Sequence, residues 1–283
     1  MDEFLSLLET MLRTFEVGQN PQAFLVLVGL AFARLLSFLA VVPFFGGAAV
    51  PARVKVATAA ALVIIVYPAL AAAIPPGGAR LPFGPVGFVA LLAKEALVGF
   101  TLGFLASLVF EAIQIAGRII DFQRGTTMGE LFAPQLQLQV SELGQFKLQL
   151  ALVIFLAIGA HRAFIGAMLE SFAYIPALGF PRLAPGWTPL ADYIARLSGQ
   201  MLAAGIQLAA PAMIALLLTE LFFGIINRAA PQVNVFFLSM PVKVALGLLV
   251  VLLALALYRD RYIYYFNESI RAFEYLLRAA GTN

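Results

Sequence analysis

Apolar residues fall along this chain in long, almost uninterrupted stretches, separated by short clusters rich in proline and glycine. About twenty mostly apolar residues are needed to cross the hydrocarbon layer of a bilayer as a helix. Six stretches qualify: Ala23–Val42, Val56–Ile74, Val86–Ile120, Leu148–Leu169, Met201–Ile226 and Val235–Leu257. The pattern predicts an all-α, polytopic membrane protein built as a single domain over residues 1–283. The third stretch would be roughly 50 Å long as one helix, so it either breaks or projects beyond the membrane. Turn chemistry marks the connections: Pro43, Gly46-Gly47 and Pro51; Pro75-Pro76-Gly77-Gly78; Gly179, Pro181, Pro185 and Gly186; and Pro231. Both ends read as amphipathic helices. In residues 1–21, Phe4, Leu8, Met11, Leu12 and Phe15 recur at helical spacing among Asp2, Glu3, Glu9 and Glu16, unlike the positive start of a secretory signal. In residues 259–283, Ile263, Phe266, Ile270, Phe273 and Leu276 alternate with Arg and Glu.

Composition narrows the function. Hydrophobic residues make up 62% of the 283 and charged residues 12%, against about half and about a quarter in soluble domains; one water-facing globule cannot hide that surface, and membrane lipid is an expected partner. The net charge of +3 is scattered singly, which leaves no basic footprint for nucleic acid. No cysteine and one histidine exclude disulfide frameworks, thiol nucleophiles and multi-histidine metal sites. No phosphate-binding glycine loop and no nucleophile elbow occurs, so neither a catalytic role nor a cofactor is expected. Arg259, Arg261, Arg271 and Arg278 cluster after the last apolar stretch and favour a cytoplasmic C-terminus.

Ionisable residues within apolar stretches carry the most information. Arg34, Lys94, Glu95, Glu111, Glu170, Glu220 and Lys243 lie inside or at the ends of such runs, where a charge at mid-depth costs at least about 2.5–3.5 kcal/mol. Two readings are open: a water-filled path or proton relay, or pairing with one another or with neighbouring subunits. On the second, a chain expressed alone is expected to leave Arg34, Glu95, Glu220 and Lys243 short of partners. Glu95, Gly99, Gly103, Ser107 and Glu111 follow at four-residue intervals as a ridge of small residues bounded by acids, and Gly99-x-x-x-Gly103 is a close-packing pattern of membrane helices. Replacing either glycine by leucine is therefore expected to block assembly. Glu111, Gln114, Arg118 and Asp121 then form a polar side, suited to an aqueous lumen or a polar neighbour.

Periodicity fails from Asp121 onward. Gln123, Arg124, Gly125, Thr126, Thr127, Met128, Gly129, Glu130, Leu131, Phe132, Ala133 and Pro134 are followed by a Gln-Leu alternation to Val140. Irregular backbone between spanning helices is tolerated where it is buried in protein or lines a cavity; a re-entrant constriction and an ordinary exposed connection both fit residues 123–140.

Several segments together resemble the FliR/SctT export-apparatus family of flagella and injectisomes (type III secretion). They are Arg34 with Pro43-Phe-Phe-Gly46 and Val50-Pro-Ala-Arg53; Lys94-Glu-Ala-Leu-Val-Gly99 with Gly103-Phe104; Gly117 through Asp121-Phe-Gln-Arg-Gly125 to Pro134; Gly159-Ala-His161 with Ser171-Phe172 and Pro176; and Asn227-Arg-Ala-Ala-Pro-Gln-Val-Asn-Val-Phe-Phe-Leu-Ser-Met-Pro-Val-Lys243. Asp121-Phe-Gln-Arg-Gly125 and the Phe236–Lys243 ending lean toward the injectisome (SctT) branch. The resemblance implies a non-enzymatic, pore-forming subunit that assembles with SctR/FliP-type and SctS/FliQ-type subunits, an SctU/FlhB-type subunit alongside, to pass unfolded secreted proteins. It further implies a place in the bacterial inner membrane, an assembly projecting into the periplasm, and a plug at residues 123–134 that closes the pore. A flagellar FliR subunit and a stand-alone permease are the alternatives; against the permease, the chain shows no inverted repeat and no paired broken helices.

Overall fold

Long apolar runs without internal breakers become long helices, and every element in the described part of the chain is helical. A computed structural model describes residues 21–46, 50–72, 84–126, 141–180 and 188–280. The elements are α1 (Pro21–Val41), the single turn α2 (Pro43–Gly46), α3 (Ala52–Ala72), α4 (Gly84–Arg124), α5 (Glu142–Ala157), α6 (Ala160–Tyr174), α7 (Thr188–Ala229), α8 (Val235–Leu253) and α9 (Leu255–Ala280). Five of them are long and apolar enough to cross a membrane, or six if the bent pair α5 and α6 is one span. The segments 1–20 and 127–140 lie outside the described residues, so the expected N-terminal amphipathic helix and the irregular stretch after Thr126 do too.

The third apolar stretch does not break. Helix α4 has 41 residues and α7 has 42, each about 60 Å long, roughly twice the hydrocarbon thickness. The fourth stretch, by contrast, is not one straight helix. Gly159 takes φ +74°, a left-handed conformation open to glycine at little cost. It ends α5, and the chain bends by 75° into α6. The sixth stretch likewise ends at Leu253, and after Ala254 the terminal helix begins at Leu255, earlier than its amphipathic pattern suggested.

Chain contacts divide the protein into two compact units. The first comprises the described parts of Met1–Ser107, His161–Asp192 and Ile270–Asn283; the second comprises those of Leu108–Ala160 and Tyr193–Ser269. In the first, α1 turns a stripe of Leu27, Leu30, Ala31, Arg34, Leu35 and Phe38 inward at three- and four-residue spacing. Phe273 meets Phe38 and Phe164 edge-on at 6.4 and 5.9 Å between ring centroids. Phe24 of α1 meets Tyr67 of α3 at 5.1 Å. In the second unit Phe110, Phe155 and Phe266 form a triangle with centroids 5.1–5.3 Å apart, and Gly205 of α7 lets its backbone approach Ala112 of α4. Leu218, Leu221, Ile225, Phe237 and Leu253 point outward from α7 and α8, as side chains of membrane helices do.

Candidate functional site

The charges of the first unit are concentrated at one buried point. Arg34 of α1 makes a bidentate pair with Glu95 of α4: its Nε reaches Oε2, and its Nη2 donates to Oε1 at 2.8 Å. The same guanidinium donates to Ser171 Oγ at 3.1 Å and to the Ile175 carbonyl at 2.8 Å, and it lies 4.1 Å from the centre of the Phe172 ring. Lys94 also reaches Glu95, its Nζ lying 2.5 Å from Oε1, the oxygen that Arg34 Nη2 meets. Its ammonium also donates to the carbonyls of Pro176, Ala177 and Gly179 at 2.7–3.0 Å. Those carbonyls follow the end of α6, where unsatisfied acceptors accumulate. Two cations and one carboxylate, 61 residues apart in sequence for the Arg34–Glu95 pair, thus fasten α1, α4 and the end of α6 together.

The small-residue ridge explains how α1 comes so close. A Cβ at Gly99 would stand 2.1 Å from the Arg34 carbonyl oxygen, and one at Gly103 would stand 2.9 Å from that of Phe38. Both glycines therefore serve a helix crossing inside this chain rather than a contact with another subunit. Ser107 is buried as well, while Glu111 is exposed. A four-residue row drifts by about 40° per step around a helix of 3.6 residues per turn, so by Glu111 it has left the packed side.

In the second unit the end of α4 is tied to the start of α5. Helix α4 runs through Gln123 and Arg124, past the point where its periodicity failed, and ends with Gly125 at φ +78°. Thr126 N–H bonds back to the Asp121 carbonyl and Gly125 N–H to that of Phe122, the paired bonds of a Schellman stop. Asp121 was expected on a polar side with Glu111, Gln114 and Arg118. Instead it is buried, whereas Glu111 and Arg118 are exposed and Arg118 bonds to Gln114 at 2.8 Å. Asp121 Oδ2 accepts from Ser141 Oγ at 2.6 Å and from the Leu143 backbone N–H at 2.8 Å. Its Oδ1 accepts from Arg124 Nη1 at 2.9 Å. Ser141 Oγ meanwhile accepts from Gly144 N–H at 2.9 Å, capping α5. Below this, a Cβ at Gly117 would fall 2.3 Å from Gly144 N, so the two helices cross with glycine on both sides.

Lys147, one turn farther along α5, is fully buried. Its ammonium lies 4.1 Å from the centre of the Tyr258 ring and has no hydrogen-bond partner among the described residues. Tyr258 stacks on Tyr262 at 5.9 Å. Neither hydroxyl has a hydrogen-bond partner among the described residues, and burial pushes both phenols above their ordinary range, so they stay neutral.

A family model described as bacterial export proteins, family 1, matches residues 25–269. The chain belongs to this family. It is similar to the flagellar biosynthetic protein FliR of Bacillus subtilis, 32% identical over 80% of this chain and 85% of the relative. It is also similar to the Yop proteins translocation protein T of Yersinia pestis, 34% identical over 68% and 71%, and to FliR of Aquifex aeolicus, 28% identical over 92% and 97%. Relatives from both branches of the FliR/SctT family stand at comparable identity. The protein is a non-enzymatic, multi-pass membrane component of a bacterial export apparatus.

Within this FliR/SctT chain the charged pairs close on themselves. Lys243 of α8 bonds Glu220 of α7 at 2.7 Å, at an open groove of about 520 Å³ that Asn227, Gln232, Phe236 and Ser239 also line. The expectation that Arg34, Glu95, Glu220 and Lys243 lack partners in the lone chain is therefore corrected: each finds one within it. Glu170 is exposed on α6. Of the expected plug, Gln123 and Arg124 belong to helix α4, Gly125 and Thr126 to its stop, and Thr127–Pro134 lie outside the described residues. Sequence reasoning missed two residues: Asp121 as an inward-facing carboxylate, and Lys147, which stands just before the fourth apolar stretch.

Proposed function

We propose that this FliR/SctT protein is a pore-forming subunit of the export gate in the bacterial inner membrane. It assembles with SctR/FliP-type and SctS/FliQ-type subunits, next to an SctU/FlhB-type subunit, and passes unfolded secreted proteins. Residues 127–134, between the stop of α4 and the cap of α5, form the plug that closes the pore, with Met128, Leu131 and Phe132 as its apolar seal. The observation that carries this reading is the internal pairing of Arg34, Lys94 and Glu95. A stand-alone permease keeps ionisable groups available to substrate near mid-membrane. Here those side chains are consumed in fastening helices, which leaves the conduit to be formed among subunits. Helices α4 and α7, each too long for one crossing, suit an assembly that stands partly above the bilayer on the periplasmic side.

The test is purification of the membrane complex with a tag on this chain. SctR-type and SctS-type subunits should co-purify, and deleting the gene should abolish export; monodisperse chain without partners, with export intact, would refute the reading. Asp121-Phe-Gln-Arg-Gly125 and Phe236–Lys243 favour the injectisome branch. On that branch the deletion abolishes secretion of effector-type proteins and leaves flagellar filaments unchanged.

A further inference from the structure

The Glu220–Lys243 pair differs from the other membrane-helix charges in being open on one side. Glu220 has 45% of its side chain exposed and Lys243 18%, whereas Arg34, Glu95, Asp121 and Arg124 are buried. Lys243 Nζ bonds Glu220 Oε1; among the described residues the other carboxylate oxygen and the remaining ammonium hydrogens meet no further partner.

Depth makes that opening costly. Arg196, Gln200 and Gln207 are exposed on the first part of α7, but from Pro211 to Ile226 every exposed side chain except Glu220 is apolar, and along α8 all of them are. Polar residues return at the turn between the helices, where Asn227, Arg228, Gln232 and Asn234 are exposed. Arg228 is eight residues from Glu220 and Asn234 nine from Lys243. The pair therefore lies about 12–14 Å along the helices from this polar end, close to the middle of a hydrocarbon layer about 30 Å thick. Lipid tails cannot satisfy a half-exposed carboxylate there, and ionisable groups at that depth turn toward protein.

The groove beside the pair has the form of a helix seat. Glu220, Gly224 and Asn227 line it from α7, and Phe236, Ser239 and Lys243 from α8. Steps of three and four residues on both helices make it a valley running from the turn to the ion pair. A Cβ at Gly99, Gly117 or Gly205 would strike a neighbouring helix of this chain, but one at Gly224 would meet nothing within 4 Å. No contact inside the chain uses the smallness of Gly224, which leaves space for an outside helix to approach closely.

The charges specify what that helix carries. Glu220 and Lys243 neutralise each other, so a charged occupant would itself be left unpaired. A carboxamide gives an N–H to the open carboxylate oxygen and accepts from the ammonium through its C=O. We propose that the α7–α8 groove docks a membrane helix of a neighbouring subunit, and that this helix brings an asparagine or glutamine to mid-depth against Glu220 and Lys243. This docking rests on reading the chain as a subunit of the export gate.

The test uses the complex purified through a tag on this chain. A photoreactive phenylalanine analogue is placed at Phe236, in the groove, or at Leu252, which is exposed on α8, and crosslinked peptides are sequenced. The analogue at Phe236 should join a membrane helix of another subunit within about one turn of an asparagine or glutamine; the one at Leu252 should join lipid. Two variants follow, Glu220→Leu with Lys243→Leu, and Gly224→Leu. Neither should melt lower than wild type as an isolated chain, because the first replaces an ion pair by apolar side chains and the second fills open space. Both should cut retention of the crosslinked subunit about tenfold or more, since its carboxamide is left without partners or its helix is held away. A pair serving this chain alone would show the reverse, lower melting with retention unchanged.

Crosslinks from Phe236 only to phospholipid or only within this chain would overturn the docking, as would wild-type retention in both variants. If the double leucine chain does not fold, Gly224→Leu and the crosslinks decide. A complex that holds SctR-type and SctS-type subunits with none of them at the groove defeats the docking alone. Absence of those subunits from the wild-type preparation defeats the gate reading, and the docking with it.

Discussion

Helix α4 supplies the carboxylate and one cation of a buried group of two cations and one carboxylate in each unit, a neighbouring helix supplies the second cation, and the two groups are finished differently. In the first unit, Arg34 and Lys94 share Glu95, and their remaining donors are met by Ser171 and four main-chain carbonyls. In the second, Arg124 and Lys147 accompany Asp121, yet Arg124 Nε and Lys147 Nζ, like the hydroxyls of Tyr258 and Tyr262, have no partner among the described residues. Equal charge inventories therefore do unequal work. A saturated group is a fastening whose removal costs stability. An unsaturated one carries desolvation that its bonds do not repay, and is retained where position or specificity matters.

The largest effect is expected at Glu95. Glu95→Ala would leave two buried cations facing each other without a counter-charge, and breaking a buried pair from one side costs about 3–5 kcal/mol. That is a large share of a marginal stability. The variant should be degraded in cells or melt far below wild type in detergent. A melting temperature within a degree or two of wild type would mean the group is not the fastening described here.

Gly99→Leu comes next, and it shifts the expectation drawn from sequence. The added Cβ meets the Arg34 main chain, which cannot move aside as a flexible side chain can. The damage should fall on the chain itself before any subunit arrives, with overpacking worth about 1–3 kcal/mol or more. Gly103→Leu should be milder, since its nearest contact stands at 2.9 Å rather than 2.1 Å. Melting curves of the isolated chain decide it: a normally stable Gly99→Leu chain that fails only in complex formation would return the ridge to a subunit interface.

What the sequence made legible follows from what periodicity and hydropathy can see. Among the described residues, apolar length located the five helices long and apolar enough to span, and the spacing of Gly99 and Gly103 marked a close crossing. Gly159 went unread because one glycine in an apolar run barely changes hydropathy, although its left-handed backbone turns the chain. Arg34 and Glu95 were both conspicuous, but no local pattern joins residues 61 apart. Asp121 kept the spacing of a polar stripe through Glu111, Gln114 and Arg118, while successive three- and four-residue steps carried it around the helix. Lys147 hid at the edge of a stretch, where a lysine ordinarily reaches for water.

Gly247→Ala tests the second group more gently. Its methyl would fall 2.6 Å from Arg124 Cδ, so the Arg124 stem must shift and its bond to Asp121 lengthen. A loss of about 1 kcal/mol is expected, comparable to one hydrogen bond. Coupling is the sharper measure. In an Asp121→Ala background the same change should cost almost nothing, because the bond it strains is gone; fully additive losses would show that Gly247 and Asp121 act independently.

The smallest effect in size, and the one that divides the two groups by sign, is Lys147→Met. The Lys147 ammonium is fully buried and, among the described residues, is met by the Tyr258 ring at 4.1 Å and the more distant Asp121. A cation–π contact returns roughly 0.5–2 kcal/mol, less than the several kcal/mol of burying a charge. Methionine fills similar volume without that cost and keeps favourable contact with the ring. Lys147→Met should leave the melting temperature unchanged or raise it slightly. Lys94→Met, the matching change in the first unit, should lower it, because three carbonyls lose their donor and Glu95 loses one of its two cations. Export separates stability from purpose: if Lys147 is retained for position, Lys147→Met exports less well while melting no lower than wild type. A fall in melting temperature as large as that of Lys94→Met would show that the second group is saturated after all, and the distinction between the two would collapse.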